Sequence, residues 1–289
     1  MPVGRVIQNI GGFQTVLIEG GEVVTCTARG RLKRAQGEIV VGDLVSLTLG
    51  PEGAVIEAIE PRRNLLRRPL VANVDQAVLV FALRDPEPSL LVIDRFLVAL
   101  RAAELPVLLC FNKLDLAGPE EGRELAEYYR RLGFAAVITS ALTQEGRTGL
   151  LNHLYGHSSV FCGPSGVGKS ALINMVKPGA ELPTGEISPK LRRGRHTTRA
   201  ARLIPLGRAG FVVDTPGYTQ VELAGLERAD LLRGFPEIAA LADGCRYRSC
   251  AHLAEPGCAV KEAVNRGSIA AARYQHYCQF AAEIAVGKP

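Results

Sequence analysis

The sequence lacks any apolar run long enough to cross a bilayer, which takes about 18 to 20 residues. Residues 1–10 also lack the long apolar segment that follows a basic end in a secretory signal. We therefore expect a cytoplasmic protein with no membrane partner. Low-complexity sequence is scarce as well, and the content of 47% hydrophobic and 22% charged residues is that of a folded protein. A chain of 289 residues then predicts about two or three domains.

Neither sign of charge is in large excess. Lys and Arg number 34 against 29 Asp and Glu, a net charge of +5, which permits a nucleic-acid partner without requiring one. The cysteines are too unevenly placed for a disulfide framework. Four of the seven stand alone (Cys26, Cys110, Cys162 and Cys278), whereas Cys245, Cys250 and Cys258 form a cluster. This spacing predicts a metal site in a reducing compartment.

Short strands separated by glycine-rich turns dominate the first domain, residues 1–66. Apolar or alternating runs at 13–18, 23–28, 38–49 and 54–59 predict a small β-barrel, of the oligonucleotide-binding (OB) type or, as the second choice, SH3-like. Four basic residues crowd one strand–loop segment, and they are candidate RNA contacts or a solvated surface loop: Arg29, Arg31, Lys33 and Arg34.

A basic, proline-bracketed segment, residues 61–69, predicts a linker and a domain boundary. Beyond it, residues 70–225 alternate apolar strand runs with helical patterns, which predicts a doubly wound, mostly parallel α/β sheet. Residues 226–289 contain no strand pattern and predict a helical domain around the cysteine cluster.

A phosphate-binding loop follows one of the predicted strands. The segment fits G-x-x-x-x-G-K-[ST] and precedes a helical pattern, so backbone N–H groups would surround phosphate at a helix N-terminus. Lys169 is expected to reach the β and γ phosphates, and the Ser170 hydroxyl to bind Mg²⁺. The predicted phosphate-binding residues are Gly163, Pro164, Ser165, Gly166, Val167, Gly168, Lys169, Ser170 and Ala171.

A second nucleotide element comes later in the chain, where the strand run 211–213 ends in Asp214 and Gly217 follows. In P-loop enzymes an aspartate after the phosphate loop holds the metal. We therefore expect Asp214 beside Mg²⁺ and the Gly217 backbone beside the γ-phosphate. The sequence contains no other carboxylate cluster here, which disfavours a metal-dependent nuclease.

Two further motifs predict a guanine pocket. Asn112-Lys113-Leu114-Asp115 follows an apolar strand, and a carboxylate there accepts from two N–H groups that guanine has and adenine lacks. Asn112 would brace the site and the Lys113 stem would cover the base. Ser140 and Ala141 follow the next strand, where a backbone N–H would face the guanine carbonyl. These elements precede the phosphate loop, so the order of an ordinary GTPase is circularly permuted.

Cys245, Cys250, His252 and Cys258 supply three thiolates and an imidazole within a short segment. Four protein ligands complete the tetrahedral coordination of a zinc ion, whereas a catalytic zinc site keeps one coordination position open. The sequence therefore predicts one structural Zn²⁺. His276 and Cys278 lie in a predicted helix and are not expected to be ligands.

Taken together, the barrel, the permuted N-K-L-D, T-S-A, G-P-S-G-V-G-K-S and D-T-P-G motifs and the C-x4-C-x-H-x5-C segment resemble the bacterial ribosome small subunit-dependent GTPase A (RsgA) family along essentially the whole chain. The resemblance implies a late assembly factor that binds GTP or GDP with Mg²⁺ and acts on the 30S ribosomal subunit. It implies hydrolysis stimulated by the subunit, release after hydrolysis, and 16S rRNA contacts by the barrel and the zinc domain.

The family pattern G-R-H-T-T aligns with residues 194–198, which are expected to form switch I. Thr198 is favoured beside the metal and Thr197 is the alternative. Tyr218 stands where Ras-like enzymes have the glutamine that orients water. His196 is the candidate for that catalytic role, and a structural or rRNA-binding role is the alternative. The competing function is an rRNA-binding scaffold gated by guanine nucleotide; a monomer is expected.

Overall fold

The computed structural model of the chain describes residues 1–28, 37–50, 53–67, 69–180, 182, 201–207, 210–214 and 221–286. Its first part is a closed five-stranded barrel in the order β1-β2-β3-β5-β4. Alternation of inward and outward residues produces the strands β1 (Val3–Ile10), β2 (Phe13–Ile18), β3 (Val23–Ala28), β4 (Leu44–Gly50) and β5 (Gly53–Ile59).

The strand pairing distinguishes between the two predicted barrels. β3 and β5 run parallel, which places β5 between β3 and β4, and β4 closes the barrel against β1. This is the five-stranded Greek-key arrangement of an OB barrel. Its interior is filled by β-branched and aliphatic side chains, among them Val6, Val16, Leu47 and Ile56, all fully buried. The OB prediction is confirmed.

The basic segment after the barrel is packed against its surroundings. It leads into a short hairpin, β6 (Leu65–Arg67) and β7 (Leu70–Ala72). Arg62 forms an ion pair with the buried Asp43, with 2.7 Å between Nε and Oδ1. Arg63 forms another with Asp75, with 2.6 Å between Nη1 and Oδ1. At least these two arginines of the predicted linker are therefore engaged within the chain.

A six-stranded sheet forms the centre of the molecule, in the order β10-β9-β8-β11-β13-β12. All neighbouring strands are parallel except the edge strand β12. The strands are β8 (Gln76–Ala82), β9 (Val107–Asn112), β10 (Ala135–Ile138), β11 (Ser158–Cys162), β12 (Arg202–Gly207) and β13 (Gly210–Asp214).

Helices cover both faces of this sheet. α1 (Leu90–Ala102) and α2 (Pro119–Arg131) pack on one face, and α3 (Arg147–Leu154) and α4 (Lys169–Val176) on the other. Every residue of β8 is buried, and its side chains alternate between the two apolar clusters. A strand covered on both faces has the continuous apolar sequence typical of parallel sheets. The prediction of a doubly wound α/β domain is confirmed.

The C-terminal helices are α5 (Arg228–Arg233), α6 (Pro236–Ala239), α7 (Ala259–Asn265) and α8 (Ala271–Val286). They share a core that includes Phe235, Tyr277 and Phe280, and Val98 of α1 belongs to the same core. Within residues 221–286 the structure contains no strand, as the sequence predicts. None of the described helices combines the length and apolar character that a membrane span requires.

Candidate nucleotide site and metal cluster

The predicted nucleotide elements meet at one edge of the central sheet. β8, β9, β10 and β11 are parallel, so their carboxyl ends lie together. Asn112 ends β9, Thr139 and Ser140 follow β10, and the phosphate loop follows β11. In open α/β sheets this edge is where ligands bind.

The phosphate loop has a backbone that requires glycine. Gly163, Gly166 and Gly168 have φ values of 129°, 80° and 93°. A Cβ atom on Gly163 would lie 2.1 Å from the Val80 carbonyl oxygen, and one on Gly168 would lie 2.4 Å from Asn112 Nδ2. Both contacts are closer than van der Waals distance, so the loop is fixed by its neighbours. α4 begins directly after it, as a phosphate site needs.

Lys169, the first residue of α4, folds back over the loop. Its Nζ donates to the carbonyl oxygens of Gly163, at 2.8 Å, and Pro164, at 2.5 Å. Burial lowers the pKa of this ammonium group. A partly desolvated cation at the start of a helix is suited to the charge of a polyphosphate.

Asn112 joins the base motif to the phosphate loop. Its Nδ2 donates to the Val167 carbonyl oxygen at 2.9 Å. Its Oδ1 accepts from the Ala141 N–H at 3.1 Å and from the Thr139 hydroxyl at 3.2 Å. The amide is buried, so these bonds hold three loops from three different strands in one arrangement. Thr139 is the first residue of the predicted T-S-A motif, but the contact of its hydroxyl with Asn112 was not predicted.

The guanine-reading candidates lie beside this amide. The Ser140 hydroxyl donates to Asp115 Oδ1, which leaves the second carboxylate oxygen for other donors. Lys113 has a left-handed backbone, with φ of 63°, and its Nζ donates to the Asp85 carbonyl oxygen. Gly146 is also required, because a Cβ there would lie 2.0 Å from the Ile138 carbonyl oxygen. Asp85 belongs to the loop between β8 and α1, which contains none of the predicted nucleotide motifs.

The metal-ligand candidates converge as predicted. The ligand atoms of Cys245, Cys250, His252 and Cys258 all lie within 4.8 Å of one another. His252 Nδ1 lies 3.4 Å from Cys245 Sγ and 3.6 Å from Cys258 Sγ. Burial raises the pKa of the Cys250 thiol to about 11, and a bound cation would be needed to stabilise its thiolate. Three sulfurs and one nitrogen in this arrangement are a donor set that fits Zn²⁺.

The loop that bears these ligands is fixed by its neighbours. Tyr274 donates to the His252 carbonyl oxygen at 2.7 Å, and Tyr277 donates to the Ala251 carbonyl oxygen at 3.0 Å. Glu255 accepts from three backbone N–H groups, those of residues 251, 253 and 254, and these bonds lower its pKa to about 2. His276 lies elsewhere, against Asp94, as expected for a residue that is not a ligand.

Several predicted residues lie outside the described part of the chain. They are His196, Thr197, Thr198, Gly217, Tyr218 and the basic set Arg29, Arg31, Lys33 and Arg34. Asp214 ends β13, next to β11 in the sheet, and its side chain is likewise outside the described part. Their roles stay predictions.

Comparison with known proteins identifies the family of the chain. A family model described as RsgA GTPase matches residues 59–224, and one described as RsgA N-terminal domain matches residues 3–55. The chain belongs to the RsgA GTPase family. It is therefore a GTP-hydrolysing enzyme, and the predicted resemblance is confirmed. Family membership also implies Mg²⁺ together with the nucleotide.

Relatives of the family match along the whole chain. The small ribosomal subunit biogenesis GTPase RsgA of Moorella thermoacetica is 45% identical over 97% of each protein. The crystal structure of YjeQ from Thermotoga maritima has a TM-score of 0.84 and 37% identity, covering 100% of this chain and 99% of that one. YloQ, described as a circularly permuted GTPase, has the same TM-score and 35% identity, with 100% and 96% covered. The permuted order of motifs in this RsgA-family chain agrees with that description.

Proposed function

We propose that this GTPase is a late assembly factor of the 30S ribosomal subunit, that the subunit stimulates its GTP hydrolysis, and that hydrolysis releases it. The observation that carries the site assignment is the Asn112 amide, which bonds to the phosphate loop and to the segment after β10 at once. The names of close relatives support the ribosomal role, since they are called small ribosomal subunit biogenesis GTPases.

In this proposal the Asp115 carboxylate accepts from the two N–H groups of guanine, and its Oδ1 also accepts from the Ser140 hydroxyl. The Ala141 backbone faces the guanine carbonyl and the Lys113 stem covers the ring. The Asp115 carboxylate makes the choice selective, because guanine offers it two N–H donors and adenine offers no such pair.

The phosphate loop, residues 163–171, binds the β and γ phosphates. Ser170 and Asp214 offer the hard oxygen ligands that Mg²⁺ prefers, and the ion would neutralise charge on the phosphate oxygens. Water attacks the γ-phosphorus, the bond to the oxygen that bridges to the β-phosphate breaks, and GDP leaves with that electron pair. We assign His196 to orient the water, and Thr198 or Thr197 to the metal side of switch I.

We propose three domains, residues 1–66, 70–225 and 226–289, of which the first and third contact 16S rRNA. The basic set at residues 29–34 is assigned to that contact. The Cys₃His cluster is assigned one structural Zn²⁺ that orders the third domain. The protein is proposed to work in the cytoplasm as a monomer.

The test is phosphate release from GTP and from ATP by the zinc-loaded chain, alone, with 30S subunits, and with 50S subunits as control. The proposal expects slow turnover of GTP only, raised at least about tenfold, or 1.4 kcal/mol in the barrier, by 30S alone. Equal rates with and without 30S would overturn the assembly mechanism and favour a nucleotide-gated rRNA-binding scaffold. ATP turnover equal to that of GTP would overturn the assignment of Asp115.

A further inference from the structure

The β8–α1 loop, residues 83–89, contacts the nucleotide site at more than one point. The Leu83 N–H donates to the Asn112 carbonyl oxygen at 2.8 Å. The Lys113 ammonium donates to the Asp85 carbonyl oxygen. Pro86 lies beside the phosphate loop, since a Cβ on Gly166 would be 3.8 Å from its Cδ. The position of this loop therefore affects both the base side and the phosphate side of the site.

Helix α1 follows the loop and has two packed faces. Ile93, Phe96 and Leu97 pack in the apolar cluster of the central sheet. Val98 packs in the core of the C-terminal helices, where Gly234 approaches so closely that a Cβ would lie 2.7 Å from Val98 Cα. α1 is thus shared by the nucleotide-binding sheet and the C-terminal helices.

A buried ion cluster fixes α1 to the C-terminal helices. Asp94 is fully buried, about 6 Å along the helix axis from Leu90. Its Oδ1 lies 2.6 Å from Arg273 Nη1, and its Oδ2 lies 2.6 Å from His276 Nδ1. The Tyr129 hydroxyl of α2 donates to Asp94 Oδ1 at 3.0 Å. The carboxylate is therefore held from α2 on one side and from α8 on the other.

Arg273 is fixed in turn by other C-terminal residues. Its Nε lies 2.7 Å from Glu237 Oε1, and its Nη2 donates to the Gly234 carbonyl oxygen at 3.0 Å. Next to the cluster, Arg95 forms a two-pronged ion pair with Glu283, at 2.7 and 2.6 Å. Since a buried, hydrogen-bonded ion cluster tolerates few geometries, the position of α8 determines the position of the start of α1.

We propose that Asp94, Arg273 and His276 are positioning residues for guanine-nucleotide binding, and that they act through α1 and the β8–α1 loop on Lys113. The C-terminal helices then set the affinity for GTP and GDP without touching the nucleotide. By thermodynamic reciprocity, bound nucleotide stabilises the docking of α8 on α1. The inference rests on the proposed function, in which Lys113 covers the base.

The test is a double-mutant cycle on the affinity for a fluorescent GDP derivative, with the zinc-loaded full chain. The cycle has four proteins: wild type, His276→Ala, Lys113→Met and the double variant that carries both substitutions. Glu283→Gln is a milder second variant, because the Arg95–Glu283 ion pair is partly exposed. Arg266→Gln is the control, since Arg266 is exposed and pairs with Glu262 of the adjoining helix α7. Zinc content and circular dichroism verify that each variant is folded.

We expect His276→Ala to weaken GDP binding at least about fivefold, the lower end of typical coupling between sites, and Glu283→Gln to weaken it less. In the Lys113→Met background both losses should shrink to less than about twofold. Arg266→Gln should bind like wild type. Unchanged affinity in His276→Ala and Glu283→Gln, or equal losses in both backgrounds, would overturn the inference. A wild-type chain that does not prefer GDP to ADP would instead overturn the proposed function.

Discussion

The barrel and the C-terminal helices attach to the central sheet in different ways. The barrel docks at the amino ends of β8 and β11, where Arg63 pairs with Asp75 and Arg5 donates to the Ser158 hydroxyl at 2.7 Å. The C-terminal helices dock on α1 through the buried Asp94–Arg273 cluster. The Arg63 side chain is 60% exposed and that of Arg273 is 1% exposed.

The difference concerns the nucleotide as well as stability. The amino edge of the sheet is opposite the edge at which the nucleotide motifs lie, so the barrel junction is remote from them. α1, by contrast, begins at the loop that contacts Asn112 and Lys113. We therefore expect changes at the barrel junction to have small, local effects and changes at the C-terminal junction to have large effects that reach the nucleotide site.

The largest effect is expected from Cys258→Ser. Zinc contributes about 10–16 kcal/mol of binding free energy to small zinc domains, and much of this depends on a complete ligand set. The variant should lose its zinc and the hydrogen-exchange protection of α7 and α8, while β1 to β5 stay protected. Cys278→Ser, outside the cluster, is the matched control and should retain one zinc. Zinc retained by Cys258→Ser, or lost from Cys278→Ser, would contradict the ligand assignment.

The two junctions are compared directly by Arg273→Gln and Arg63→Gln. Arg273→Gln removes the guanidinium that pairs with the buried Asp94 and should cost about 3–5 kcal/mol. Arg63→Gln breaks a largely exposed ion pair and should cost about 1 kcal/mol or less. Hydrogen exchange in urea, read separately for the barrel and for α8, measures each cost. Equal costs would remove the contrast between the junctions.

A change in the phosphate loop should lower catalysis without weakening either junction. Lys169→Ala removes the cation that lies over the phosphate loop and should lower GTP hydrolysis about 100-fold to 1000-fold. Lys177→Ala, at the other end of α4, is the control and should hydrolyse GTP at the wild-type rate. Unfolding in urea should be similar for the two variants. A Lys169→Ala enzyme with wild-type turnover would contradict the assignment of the loop.

The smallest effect concerns the titration of Asp75 at the barrel junction. Burial opposes ionisation, but the Ser158 N–H and Arg63 outweigh it and hold the pKa of Asp75 below its ordinary value of 3.8. The stabilisation is therefore complete above the unfolded-state pKa and is lost as the pH falls through the lower folded-state value. In an NMR titration of the Asp75 carboxyl, Arg63→Gln should raise the midpoint. An unchanged midpoint would show that Arg63 does not act on this group.

Much of the fold could be predicted from local sequence patterns. The helical pattern predicted after the phosphate loop is α4, and the glycine-rich loop marks where this helix begins. The base motif and the phosphate loop were also visible, since their chemistry requires particular side chains.

The features that were not predicted depend on backbone atoms or on contacts between distant residues, and no local sequence pattern indicates either. Asp85 contributes its backbone carbonyl oxygen, which every residue type has. His276 and Asp94 are 182 positions apart, so nothing in either segment predicts their pairing. A basic run looks the same whether its charges are solvated or paired, so the ion pairs of Arg62 and Arg63 could not be foreseen.

Asp115 is assigned to read guanine at this permuted site. The most direct test is turnover of GTP and of XTP by Asp115→Asn beside the wild-type chain. Xanthine has a carbonyl where guanine has an amino group, so an amide at position 115 can donate to it. We predict that the variant loses GTP hydrolysis at least about 100-fold and prefers XTP. A variant that still prefers GTP would show that Asp115 does not read guanine.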